Sequence, residues 1–189
     1  MRKSFVLLFS ILLTLTFGSG AFAAESKDAS KGLKLIELTN KAIDLTIDKA
    51  VANGEKLQND YHSDIQSVEG AEVIISLREE QSQLEAQLAN ETDTANKAVI
   101  EEKLAAIEAE ILLTENKLKQ ESGYFAKRTA QYNAELDLLI NNLVNVTNKM
   151  TATTINAVAK LGITAVCEWE YVKIGHKWVW VDPVKVVGA

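Results

Sequence analysis

The apolar positions of this chain follow three patterns in turn: an apolar run over residues 5–17, a helical spacing from Leu33, and a period of two from Thr164. In the helical part, Ile36, Ile43, Ala50 and Leu57 stand seven apart. Ile47, Tyr61, Val68 and Ile75 fill the interleaved row, with Asn40 and Gly54 as its weak members. Leu77, Leu84 and Leu88 make a second run. Ile100, Leu104, Ile107, Ile111, Thr114 and Leu118 make a third, continued by Phe125, Tyr132, Leu139 and Val146 with Leu136, Leu143 and Met150 beside them. Charged residues occupy the other faces, so the spacing predicts helices packed along a narrow seam.

The strongest break is Ala89-Asn-Glu-Thr-Asp-Thr-Ala95, where Asp93 or Thr94 can accept a hydrogen bond from an early N–H of the next helix. A tip near 90–94 makes residues 33–161 an antiparallel helical hairpin. Ile43 is then expected to face Asn142 and Leu143, and Leu57 to face Arg128 and Thr129. Gly70 and Gly123 fall at nearly the same level of the two arms. They are either tolerated in continuous helices, at about 1 kcal/mol each, or they bend both arms. In the second case the tip hinges, or folds back on the base as a four-helix bundle. Phe125 keeps the seven-residue phase of Leu118 across Gly123, which favours continuity and an extended hairpin.

Gly162 is the expected helix stop. Beyond it Cys167, Trp169, Tyr171 and Lys173 alternate with Val166, Glu168, Glu170, Val172 and Ile174. Gly175-His176 supplies a two-residue turn of type II′. That turn sets the register: Lys173 opposite Trp178, Tyr171 opposite Trp180, Trp169 opposite Asp182, and Val172 opposite Val179. Pro183 cannot donate to the ladder and marks an edge, a bend or the start of a short further strand, Val184 to Val187. The fold class is therefore mainly α, a coiled-coil-like helical hairpin or folded-back bundle, with a C-terminal β-hairpin over 162–189. All three tryptophans of the chain fall on one face of that hairpin with Tyr171. The simpler expectation is that this face packs on the helices. The alternative leaves it open as a binding site for glycan, peptide or protein, with Trp169, Tyr171, Trp178 and Trp180 as its residues.

The chain ends add localisation. Arg2 and Lys3, the apolar run, Gly18-Ser19-Gly20 and Ala21-Phe22-Ala23 follow the order of a secretory signal peptide cleaved after Ala23. The run is about 13 residues, short of the roughly 20 a bilayer span needs, and no later segment is apolar enough. Residues 24–32 read as a flexible lead-in. A secreted or extracytoplasmic protein with no stable membrane span is expected. Cleavage removes two basic residues and leaves 18 basic against 26 acidic, a net charge of −8. That balance argues against nucleic acid and against anionic membrane surfaces as partners. Residues 69–121 hold 13 acidic and 5 basic side chains, the whole acidic excess. The single Cys167 allows no internal disulfide. Asn90 and Asn145 begin Asn-x-Thr sequons, which matter only in a eukaryotic source.

From Leu138 to Lys160 only Lys149 and Lys160 are charged. A helix this neutral is expected to be covered by the first helix and by something more: the C-terminal segment, another subunit or a partner. No catalytic set emerges. Cys167 and His176 lie nine residues apart on one strand, roughly 30 Å when extended. His62-Ser63-Asp64 point in different directions from a helix. Glu168 and Glu170 share a strand side, as any Glu-x-Glu does, and Cys167 reads as a small buried hydrophobe. Two histidines and one cysteine are too few for a zinc site, so neither metal nor cofactor is expected. The architecture resembles exported helical-hairpin proteins such as periplasmic coiled-coil chaperones and adaptor hairpins, at the level of fold alone. The reading that follows is an exported, non-catalytic helical scaffold or binding protein acting through contacts with another protein or its own copies. The alternatives are a membrane-active helical toxin, supported by the neutral segment, and cell-wall glycan or peptide binding through the aromatic hairpin.

Overall fold

The computed structural model describes residues 27–188, so the segment expected to be a signal peptide lies outside the described residues. Four helices come first: α1 (Lys27–Ile65), α2 (Ala71–Asn90), α3 (Thr94–Glu121) and α4 (Gly123–Ala159). Four strands follow: β1 (Thr164–Cys167), β2 (Glu170–Ile174), β3 (Lys177–Val181) and β4 (Val184–Gly188). The chain divides into two compact units, and α1 and α4 each contribute to both. Among the described residues, Gly54–Asp137 form one; 27–53 and 138–188 form the other.

In Gly54–Asp137 the helices break at both suspected levels, so the arms are not continuous. The two breaks differ in chemistry. Between α1 and α2 the chain turns through residues 66–70, with Val68 N donating to Ile65 O (2.8 Å) and Ala71 N to Val68 O (3.0 Å). Gly70 closes that turn in the left-handed region, at φ 86°. Between α3 and α4 the break is a single residue, Ser122, in extended conformation. Its N–H donates to Leu118 O (2.8 Å), while its hydroxyl accepts from Phe125 N (3.1 Å). Ser122 thus ends one helix and caps the next. Gly123 is not the cause: its backbone φ is not positive, and a Cβ there would meet nothing within 4 Å.

At the tip, Asp93 caps α3 as expected, its carboxylate accepting from Ala95 N (2.9 Å) and Asn96 N (3.0 Å). Leu77 and Leu84 of α2 pack with Ile107 and Ile111 of α3, joined by Ile100 and Leu104. In the same unit the stack of Tyr61 on Tyr132 (centroids 4.5 Å apart, planes 5° from parallel) joins α1 to α4. The Tyr61 hydroxyl shares a hydrogen bond with the buried Thr129 hydroxyl (2.9 Å). Tyr61 also feels the charges of Glu115, Arg78 and Arg128, and His62 those of Arg78 and Glu79. Sixteen residues of continued helix would put Arg78 about 24 Å from His62. The helices therefore bend at these breaks and pack against one another, rather than running straight through them. Arg78 donates to Glu115 across the α2–α3 pair (3.3 Å) and to Gln81 on its own helix (3.1 Å). Phe125, Ile65, Ile74 and Leu136 are almost fully buried, each contributing roughly 1.5–3 kcal/mol through removal from water.

The register of α1 against α4 also differs from expectation. Tyr61, not Leu57, faces Thr129, a shift of one helical turn. Along α4 the strict seven-residue row fails as well. Phe125 and Tyr132 are buried, but Val146 is exposed and its place is taken by Leu143 and Thr147. A straight α-helix drifts about 20° per heptad against a 3.5 repeat, so the buried stripe moves off that row.

The second unit joins α1 before Gly54 and α4 after Asp137 to the strands. Helix α1 begins at Lys27, so most of the supposed flexible lead-in is helical. It is seated by close packing: a Cβ on Gly32 would lie 2.5 Å from Ile163 Cδ1. After Ala159 the chain closes with Ile163 N donating to Val158 O (3.1 Å) and Gly162 at φ 81°, the expected glycine stop. Ile36, Val158, Ile163, Ala165 and Val184 form one core cluster. Thr147, Thr151 and Thr154 line the inner face of α4. Thr154 shares a hydrogen bond with Thr39 (2.8 Å), and Thr151 donates to Asp182 O. The cover over the neutral α4 segment is therefore the first helix together with the C-terminal strands.

Candidate functional site: the outward face of the C-terminal ribbon

The strands form two antiparallel ladders, β1 with β4 and β2 with β3. Tyr171 pairs with Trp180, Val172 with Val179 and Lys173 with Trp178, as the turn residues predict. Gly175 stands at φ 59° and His176 is not positive, the combination of a type II′ turn. Cys167 pairs with Val184 and Ala165 with Val186 in the same register, so the two ladders are one long ribbon.

The ribbon turns over in its middle. In β2–β3 the buried side chains are Val172, Ile174 and Val181; in β1–β4 they are Ala165 and Val184, which belong to the opposite alternation. The change occurs at Glu168-Trp169 and Asp182-Pro183. There Glu168 N donates to Pro183 O (2.8 Å), and Pro183 has no N–H to return the bond. A two-stranded ribbon twists strongly, and the interrupted ladder lets it change the face it lays on the helices.

This overturns the simpler expectation for the aromatic face. The aliphatic side of β2–β3 lies inward, and Trp169, Trp180 and Tyr171 are exposed to 61%, 53% and 38%. Trp178 is half-buried. Tyr171 stacks between Trp178 (centroids 5.0 Å, planes 20° apart) and Trp180 (4.5 Å, 32°). Because strand side chains stand roughly perpendicular to the sheet, this stack turns ring edges outward. Beyond the turnover, Val166 and Val187 are exposed too. The outward face is thus an apolar strip drawn from both alternations.

The ribbon is held from below by Asn40 of α1. Its Nδ2 donates to Val184 O (2.9 Å), and Val184 N donates to its Oδ1 (2.9 Å). Asp182 is buried beside the turnover. Asn148, with its amide nitrogen turned inward, donates to Asp182 Oδ2 (2.8 Å), while Oδ1 has no hydrogen-bond partner among the described residues. Burial pushes the Asp182 carboxyl up from its ordinary value. Glu170 is also raised, by burial and then by the nearby charges of Asp44 and Glu168; Asp44 is raised by burial and by Asp48. Sequence reasoning missed this group, because nothing in the sequence pairs Asp44 with Glu170.

The remaining sequence candidates are scattered. Cys167 is exposed rather than buried, although it shares the alternation of the buried Ala165. It sits in β1, while His176 is in the turn between β2 and β3, at the other end of the ribbon. Glu168 is bound to Lys185, and Asp64 to Arg128. Burial, aided by Arg78, lowers the His62 pKa. Among the described residues there is no cluster of three or more metal-ligating side chains, and no helix is long and apolar enough to cross a membrane. No protein-family model, curated protein or solved structure matches this chain.

Proposed function

We propose that this is an exported, non-catalytic binding protein whose contact surface is the outward aromatic face of the C-terminal ribbon, with the helices as its support. One observation carries the reading. Trp169, Tyr171 and Trp180 stand exposed on the ribbon, although an aliphatic face was available to turn outward instead. Exposed apolar patches of this kind mark interaction sites, and Trp and Tyr are the residues that dominate them. The double variant Trp169→Ala/Trp180→Ala tests it. The variant should keep the helical circular dichroism and melting of the parent yet lose retention on cell-envelope preparations from the source. Equal retention of parent and variant would remove the ribbon from the function.

A further inference from the structure

We infer that the β2–β3 hairpin is a proton-operated latch: it lies closed on α1 and α4 while Asp182 and Glu170 are protonated, and opens the more readily once they ionise. Such a latch works whatever the aromatic face binds. Alternation puts both acids on the inner side of the ribbon. Glu170 belongs to the inward row of Val172 and Ile174, and it stands opposite the fully buried Val181. Opposite residues of an antiparallel pair share a face. Asp182 lies at the turnover, with only 6% of its surface exposed. Two carboxyl groups are thus seated among aliphatic side chains where the ribbon meets the helices.

The groups that face them do not favour their ionised forms. The charges acting on Glu170 are both negative, Asp44 of α1 and Glu168 of its own ribbon. Asp48, one turn along α1, acts on Asp44 in the same sense. Basic side chains of these elements are engaged elsewhere, Lys41 by Glu37 and Lys185 by Glu168. From α4, Asp182 meets neutral groups: Asn148 donates to Oδ2, and the Thr151 hydroxyl donates to the backbone carbonyl. Its Oδ1 has no hydrogen-bond partner among the described residues. One amide donor is a poor substitute for the water a carboxylate loses on burial, whereas an uncharged carboxyl loses far less. Burial accordingly raises both carboxyls above their ordinary values, and Asp44 and Glu168 raise Glu170 further. For a raised group, closure is fully supported below the ordinary value, and that support is lost as pH rises through the higher one. The fastening of β4 does not titrate, because Asn40 holds Val184 through neutral groups. Opening is therefore confined to β2–β3, and a two-stranded hairpin without a surface beneath it is marginal.

Amide hydrogen exchange of the full chain, corrected for the intrinsic pH dependence of exchange, reads this opening. Between the ordinary and the raised values, protection of the β2–β3 amides should fall by up to about tenfold per pH unit for each carboxyl. Amides of α2 and α3 should keep theirs. Asp182→Asn/Glu170→Gln should flatten the dependence. Glu170→Gln alone, at a half-buried position, should remove part of it, and Asp44→Asn should narrow the pH range over which it occurs. These two variants carry the test if the double variant does not fold. Protection of β2–β3 that stays constant from pH about 4 to about 8, or that falls equally in α2 and α3, would overturn the latch. So would a pH dependence left at full size by Glu170→Gln and by the double variant.

Discussion

Asn40 and Val184 exchange two hydrogen bonds of 2.9 Å across 144 residues of chain. One side chain thereby satisfies both polar groups of a strand residue that is itself nearly buried. Asn40 appeared in the sequence only as a flaw in a heptad row. Asn40→Ala should cost about 1–3 kcal/mol in chemical denaturation, because the Val184 N–H and C=O lose their partners in a partly dry site. Asn40→Asp should be worse, since a carboxylate cannot donate to the Val184 carbonyl. A cost near zero for Asn40→Ala would mean that water replaces the pair.

The two glycines at the helix breaks should respond in opposite directions. Gly70→Ala forces a Cβ into the left-handed region and 3.3 Å from Leu118 Cδ2, which should destabilise by roughly 1–2 kcal/mol. Gly123→Ala meets nothing and should be neutral or stabilising by up to about 1 kcal/mol. Ser122→Ala, which removes the cap on Phe125 N, should cost about 1 kcal/mol. Thermal melts of the three variants check this, and equal effects of the glycine variants would contradict the assignment of the second break to Ser122.

In the bundle, Tyr61→Phe keeps the stack on Tyr132 but strands the buried Thr129 hydroxyl, 2% exposed. The expected cost is about 1 kcal/mol. Phe125→Ala empties a fully buried site and should cost about 3–5 kcal/mol. Denaturant midpoints of the two variants should differ accordingly.

A pH dependence follows from Glu170. Burial, Asp44 and Glu168 raise its carboxyl above the ordinary value. Its contribution is therefore most favourable below the unfolded-state pKa and is lost as pH rises through the higher folded-state value. Glu170→Gln should raise the melting temperature at pH about 7, and the gain should fade near pH about 3, where the native carboxyl is protonated. Glu37 works the other way: hydrogen bonds and charge from Lys41 and Lys34 lower its pKa to about 2. Its stabilisation is present above the ordinary carboxylate value and lost on acidification toward about 2. A gain from Glu170→Gln that is as large at pH 3 as at pH 7 would show that the residue acts through shape rather than charge.

The parts of the fold legible in the sequence were those governed by local chemistry. Gly175-His176 dictated the hairpin register because a type II′ turn allows only one, and Asp93 and Gly162 announced their helix ends by the same logic. What could not be read depended on distant partners or on a balance between similar options. Ser122 carries no stronger signal than any other serine in a helical sequence. The register of α1 against α4 is stated by no single residue. Alternation showed that the ribbon has an aromatic and an aliphatic face, but both are apolar enough to bury. The choice went to Val172, Ile174 and Val181, whose branched side chains fit closely against helices. The turnover at Pro183 was visible as an interrupted ladder, though not as a change of face.

The interleaving of the two units has a consequence for the order in which the chain acquires structure. Gly54–Asp137 close mostly local contacts, helix against neighbouring helix. The other unit must join Thr39 to Thr154 and Asn40 to Val184, across 115 and 144 residues. Distant pairings pay their loop-closure entropy late, so residues 27–53 are left half-clad until the end of the chain arrives. Refolding watched by tryptophan emission should then lag behind helix formation watched by circular dichroism, and coincident traces would contradict this order. On that order the aromatic strip becomes a defined surface only in the final step, when the rest of the protein is already built.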